Sequence, residues 1–94
     1  MFFRTRKEKL KRQLNKRLSK STKDLDGFKE ARSFLLQSKE SLDENTRLTG
    51  ADKRIQLDMI NERISTIDNN ILNLENEIKK LKGRLKELNI PSHA

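Results

Sequence analysis

The chain contains no cysteine, tryptophan or tyrosine, a single proline and three glycines. Without cysteine there is no disulfide framework, no thiol nucleophile and no thiolate metal site, a composition that suits a reducing compartment. Gly27, Gly50 and Gly83 stand alone, so no glycine-rich loop exists to cradle a phosphate. The lone histidine, His93, sits beyond Pro91 at the end of the chain and reads as a solvated tail residue rather than an acid–base group. Asp24 and Asp26 are close in sequence, but two residues apart on a helix they do not share a face. The carboxylates therefore read as caps or solvated surface acids. Apolar runs are pairs and triplets such as Met1-Phe2-Phe3, too short to span a bilayer.

The first residues lack the apolar stretch of a secretory signal. Being rich in Arg and Lys and poor in acids, they loosely fit a mitochondrial presequence, although no cleavage-like region follows. Apolar residues make up 32% of the 94-residue chain and charged residues 38%. That is too little apolar surface for a rounded core and enough for a narrow helical seam. Neither enzymatic activity nor a metal, cofactor or small-molecule substrate is expected, and the expected location is intracellular, at most peripheral to a membrane.

The charge is unevenly placed. Residues 1–23 carry Arg4, Arg6, Lys7, Lys9, Lys11, Arg12, Lys16, Arg17, Lys20 and Lys23 against one acid, Glu8, and so sum to +9. The remainder sums to −1, so the chain's +8 belongs to an N-terminal arm. Such a block repels itself and attracts polyanions.

The clearest pattern lies in the second half. Leu57, Ile60, Ile64, Ile67, Ile71, Leu74, Ile78, Leu81, Leu85 and Leu88 are spaced 3-4-3-4 without a miss. Leu57, Ile64, Ile71, Ile78 and Leu85 take heptad position a, and the others take d. This narrow a/d stripe is a coiled-coil seam, and its ten residues are the expected partner-binding set. The helix should stop near Ile90, because Pro91 disfavours helix in the residue before it. Gly83 falls at an outer c position, where its cost of about 1 kcal/mol is one of propensity rather than packing.

The first half is weaker. Leu14, Leu18, Leu25, Phe28, Leu35 and Leu42 fit one frame, but Lys11, Ser21, Arg32 and Lys39 fill its other seam positions. Between the halves, residues 43–52 gather poor helix formers and the heptad frame jumps by four. Gly50 could follow a helix end, and Thr49-Gly50-Ala51-Asp52 resembles a helix cap with an acid at the third position. Two readings follow: a continuous coil that absorbs a stutter, or a chain that turns back on itself.

Facing layers of an antiparallel hairpin have residue numbers of constant sum. Leu42 with Leu57, Leu35 with Ile64, Phe28 with Ile71, Leu25 with Leu74, Leu18 with Leu81 and Leu14 with Leu85 all give 99. The centre falls at Thr49-Gly50, and each a residue faces a d residue. Chance alone would give such a register about one time in seven. Flanking charges pull the other way. A parallel dimer gains Arg63–Asp68′ and Glu77–Lys82′, whereas the hairpin gains Lys29–Asp68 but sets Asp24 beside Glu77. Such pairs are worth only tenths of a kcal/mol.

The expected fold is all-α: an elongated antiparallel helical hairpin or coiled coil with a basic N-terminal arm, the alternative being a long parallel coiled-coil dimer. Its divisions are a basic amphipathic arm at 1–23, a first helix at 24–45 that could begin as early as residue 14, a turn or stutter at 46–51, a heptad helix at 52–90 and a tail at 91–94. Ser21-Thr22-Lys23-Asp24 offers a cap at the end of the arm. A lone two-helix hairpin buries little, so pairing with itself or with another helical subunit is expected.

The arm has three readings. As an amphipathic helix, with Phe3, Leu10, Leu14 and Leu18 on one side, it could lie in the interface of an anionic membrane. As a basic segment continuous with a dimerising helix, it resembles a basic-region zipper in outline and could bind nucleic acid through phosphates. However, it lacks a base-reading Asn-x-x-Ala-Ala run. Or Leu10, Leu14 and Leu18 simply extend the hairpin seam and the charges are its solvated face, in a scaffold subunit of a larger helical complex. In length and central turn the layout also resembles the secreted WXG-type helical hairpins. Leu48-Thr49-Gly50 stands near the place of their Trp-x-Gly turn without its tryptophan, and the basic arm is foreign to them, so no family membership follows.

Overall fold

The structure is a computed structural model that describes residues 5–89; Arg4, Pro91 and His93 lie outside it. Two α-helices, α1 (Arg6–Glu44) and α2 (Gly50–Asn89), form an all-α helical hairpin. The parallel rod is therefore set aside. The described residues divide into two units, one made of 5–25 with 73–89 and the other of 26–72.

Both helices begin with the same device. The Glu8 N–H donates to Thr5 Oγ1 at 3.2 Å, and the Asp52 N–H donates to Thr49 Oγ1 at 3.2 Å. In each case a threonine caps the first turn and an acid stands at its third position, where it also faces the positive end of the helix dipole. The cap expected at Thr49 is thus present. Thr5-Arg6-Lys7-Glu8 is the same signature and was open to the same reading. Gly50 does not follow the end of α1: it is the first residue of α2, with no positive φ. The chain instead leaves α1 at Glu44 through Asn45, whose side-chain Oδ1 accepts the Arg47 N–H at 2.8 Å. No basic residue lies in the last turn of α1. Lys53 supplies one from across the turn, its Nζ donating to the Asp43 carbonyl at 3.4 Å.

No boundary forms at Ser21–Asp24, because α1 runs through it unbroken. The seam explains why. Ser21 is buried at a seam position, between Leu14 and Leu25, and so cannot turn outward to cap a helix. Along α1, Lys11, Leu14, Leu18, Ser21, Leu25, Phe28, Arg32, Leu35, Lys39 and Leu42 are buried or half-buried, and nearly all residues between them are exposed. This is the 3-4 spacing of the frame above, polar members included. The ten heptad residues of α2 are likewise buried or half-buried. Within each unit the expected register holds to about a turn. Leu25 lines a cleft with Ile78, Ser21 with Leu74, Leu35 with Ile67, and Leu42 with Ile60.

The flanking charges depart from expectation. Asp68 pairs with Arg32, Nε to Oδ1 at 2.6 Å, and not with Lys29. Arg32 occupies a seam position that cannot hold a charge among apolar neighbours. Its long stem stays in the seam while its head reaches the rim, where Asp68 meets it. Glu77, expected beside Asp24, does line a cleft with it, and Arg17 bridges to Glu77 at 3.1 Å.

The units are sealed unequally. Leu14, Leu25 and Leu81 are buried in the first, with Leu14 and Leu81 each 3% exposed. In the second, Leu42 is the one buried apolar residue, while Phe34, Leu36, Ile55, Met59 and Leu72 are exposed.

Two changes two residues apart should act with opposite sign. Leu81→Ala removes a sealed seam residue and should cost about 2–4 kcal/mol. A Cβ added at Gly83 meets nothing within 4 Å, so Gly83→Ala should raise stability by about 1 kcal/mol. Urea unfolding followed by circular dichroism reads both; equal effects of one sign would place the seam wrongly. Both members of the Arg32–Asp68 pair remain more than two-fifths exposed. Its coupling in a double-mutant cycle should therefore stay below about 1 kcal/mol and fade with added salt.

Candidate functional site

The first unit gathers more positive charge than the arm alone. Arg6, Lys7, Lys9, Arg12, Lys16, Arg17, Lys20 and Lys23 are all exposed on α1, and Lys11 is half-buried at its seam position. The fold sets against them Lys79, Lys80, Lys82, Arg84 and Lys86 from α2, all exposed as well. Against these stand Glu8, Asp24, Glu75, Glu77 and Glu87, so residues 5–25 with 73–89 sum to +9. The five α2 residues were missed as candidates because the charge was summed over residues 24–94, whose total of −1 hides a local run of five basic side chains without an acid. The constant-sum register would have found them, since it lays residues 79–86 opposite 13–20. The other unit, 26–72, sums to −2.

The charges surround α1 rather than lining one side. Lys9, Lys16 and Lys23 repeat every seven residues and run along its back, about 10.5 Å apart at ~1.5 Å per residue. Arg12 lies to one side of that row and Arg17 and Lys20 to the other. The apolar side that the arm would present to a membrane is largely taken. Leu14 is buried in the seam and Leu18 half-buried, which leaves Leu10, 44% exposed, as its free apolar residue among those described. Arg17 is engaged by Glu77, and Glu8 stands in the first turn of α1.

The second unit presents two unlike flanks beside its seam. At the c and g heptad positions lie Gly27, Ala31, Phe34, Ser38, Ser41 and Asn45 of α1, and Asp52, Gln56, Met59, Arg63, Thr66 and Asn70 of α2. Asp52 and Arg63 alone among them are charged. At the b and e positions lie Asp26, Lys29, Glu40, Asp43, Arg54, Asp58 and Asp68, among a few neutral residues. Two open clefts lie on the c/g flank. One is lined by Leu35, Met59, Glu62, Arg63, Thr66 and Ile67. The other is lined by Phe34, Ser38, Ser41, Leu42, Gln56 and Ile60, with Gln37, Asn45 and Leu48 at its edge. The Ser38 hydroxyl donates to the Phe34 carbonyl at 3.0 Å and the Thr66 hydroxyl to the Glu62 carbonyl at 3.2 Å.

Among the described residues, no three His, Cys, Asp or Glu side chains are grouped as a metal site would require, and no helix is long and apolar enough to cross a membrane. The ten residues Leu57 to Leu88 expected to receive a partner helix lie at the seam with α1 of the same chain. In the second unit, those from Leu57 to Ile71 keep part of their surface open. Comparison with known protein families, with curated proteins and with solved structures gives no match.

Proposed function

We propose that the chain is a non-enzymatic helical assembly subunit whose basic unit docks on an anionic membrane surface by charge, without insertion. The observation that carries this reading is the +9 charge of residues 5–25 with 73–89, together with the burial of Leu14 and the half-burial of Leu18 beneath it. An amphipathic helix enters the headgroup region with an exposed apolar face. This one keeps most of its apolar face in the hairpin seam. What remains is attraction between Lys and Arg and the leaflet, about 1 kcal/mol for each residue near the surface. It decays within a Debye length of about 8 Å at physiological salt, so one side of the unit acts at a time. The row Lys9, Lys16 and Lys23 belongs to one such side.

The burial of Leu14 and Leu18 equally favours a second reading, docking on nucleic-acid phosphates. That binding would be sequence-tolerant and would weaken steeply with salt.

Flotation of the full-length chain with phosphatidylserine-containing vesicles, duplex DNA being present as competitor, tests both. Protein that floats with anionic but not with neutral vesicles supports membrane docking. Lys9→Glu with Lys16→Glu and Lys23→Glu should then weaken binding at least about a hundredfold. Protein retained by the DNA moves the assignment to nucleic acid. Protein with neither removes the basic unit from the mechanism and leaves a scaffold whose charges are solvated.

A further inference from the structure

We propose that the c/g flank of the 26–72 unit is a homodimer interface, across which a second copy of the chain lays the same flank. The inference rests on the assembly half of the reading above and makes no use of the basic unit.

Three observations point to this flank. The seam beneath it is unsealed: Leu35, Ile60 and Ile67 stay half-buried, and Phe34 and Met59 stand 68% and 52% exposed beside them. Two hydroxyls of the flank are already spent within their own helix. The hydroxyls of Ser38 and Thr66 donate to carbonyls one turn back, so covering them leaves no donor without a partner. The flank also carries little charge, unlike the b/e flank, where Asp26, Lys29, Glu40, Asp43, Asp58 and Asp68 would have to lose water on contact.

The occupant follows from symmetry and charge. In a two-fold contact the same patch meets itself, so it must complement itself. This flank has one large projecting side chain, Phe34, with small neighbours Ala31 and Ser38 on its own helix, and one apolar cleft, walled by Leu35, Met59 and Ile67. Phe34 of each copy can fill the cleft of the other. The charged positions of the flank are Asp52, in the first turn of α2, and Arg63 at the apolar cleft, and Glu62 precedes Arg63 at the rim of that cleft. A two-fold contact pairs Arg63 of one copy with Glu62 of the other, and the reverse. The contact uses residues of the unit of charge −2 and none of the unit of charge +9.

The test is the mass of the full-length chain by light scattering across a concentration series. The expected mass is twice the 11.1 kDa of one chain, falling to that of one chain in Phe34→Glu with Met59→Glu while helicity by circular dichroism is unchanged. Leu36→Glu on the b/e flank should remain a dimer. A single-chain mass at every concentration overturns the proposal, as does a double variant that still dimerises or a dimer lost in Leu36→Glu. Should the double variant lose its helicity, Ser38→Cys decides. In a chain with no other cysteine, mild oxidation should yield covalent dimers, and their absence overturns the proposal. Flotation of the same double variant with anionic vesicles separates the two readings: loss of mass with vesicle binding retained places assembly and docking on different units.

Discussion

Everything in this hairpin depends on one line of apolar residues. With apolar side chains at 32% of the chain, there is no second layer to bury, so every turn of each helix contributes one or two seam residues and everything else faces water. Such a seam sets the register strictly and seals poorly. No side chain large or small is completely buried among the described residues, and the best sealed, Leu14 and Leu81, still retain 3% exposure. The polar members of the α1 seam explain where sealing fails. Ser21 is small enough to be enclosed, and its neighbours Leu14 and Leu25 are sealed around it. Arg32 and Lys39 are long, and each holds a layer open while its head seeks water or a carboxylate.

The two units therefore differ in character. The one carrying the charge is the one whose seam is better closed, and its cations stand on a firm backbone with their apolar side withdrawn. The one with the open seam is nearly neutral on one flank and charged on the other. Net positive charge and exposed apolar side chains thus fall on different residues of the chain, and the two proposed contacts draw on separate sets.

Much of this was legible in the residue pattern. The uninterrupted 3-4 spacing of α2 identified its seam, and the constant sum of 99 favoured the fold-back and gave the register to about a turn. The Thr49 cap was legible because Asp52 stands three residues on. What escaped has specific causes. Ser21–Asp24 has the composition of a helix start, but a seam position outranks a cap once Leu14, Leu18 and Leu25 fix the face. Lys29 is the nearer partner for Asp68 by heptad letter, yet the length of Arg32 lets it reach past its own position. The basic residues 79–86 were lost in a sum over residues 24–94 that comes to −1, and the fold sets them against the basic face of α1. The exposed Phe34 and Met59 fall outside the a/d stripe, where a search for seams does not look.

The register has a kinetic side. Facing seam residues near the turn, such as Leu42 and Leu57, are separated by few residues, whereas Leu14 and Leu85 are separated by most of the chain. Loop closure grows costlier with separation, at about 0.6 kcal/mol per doubling, so it favours contacts near Thr49 over those between Leu14 and Leu85. The sealed layer at Leu42 and the open layers at Lys39 and Arg32 close at the smaller cost; the tight layers at Leu25, Leu81 and Leu14 close at the larger. Three of the four sealed apolar residues thus belong to layers whose closure costs most, and the exposed apolar flank belongs to the layers whose closure costs least.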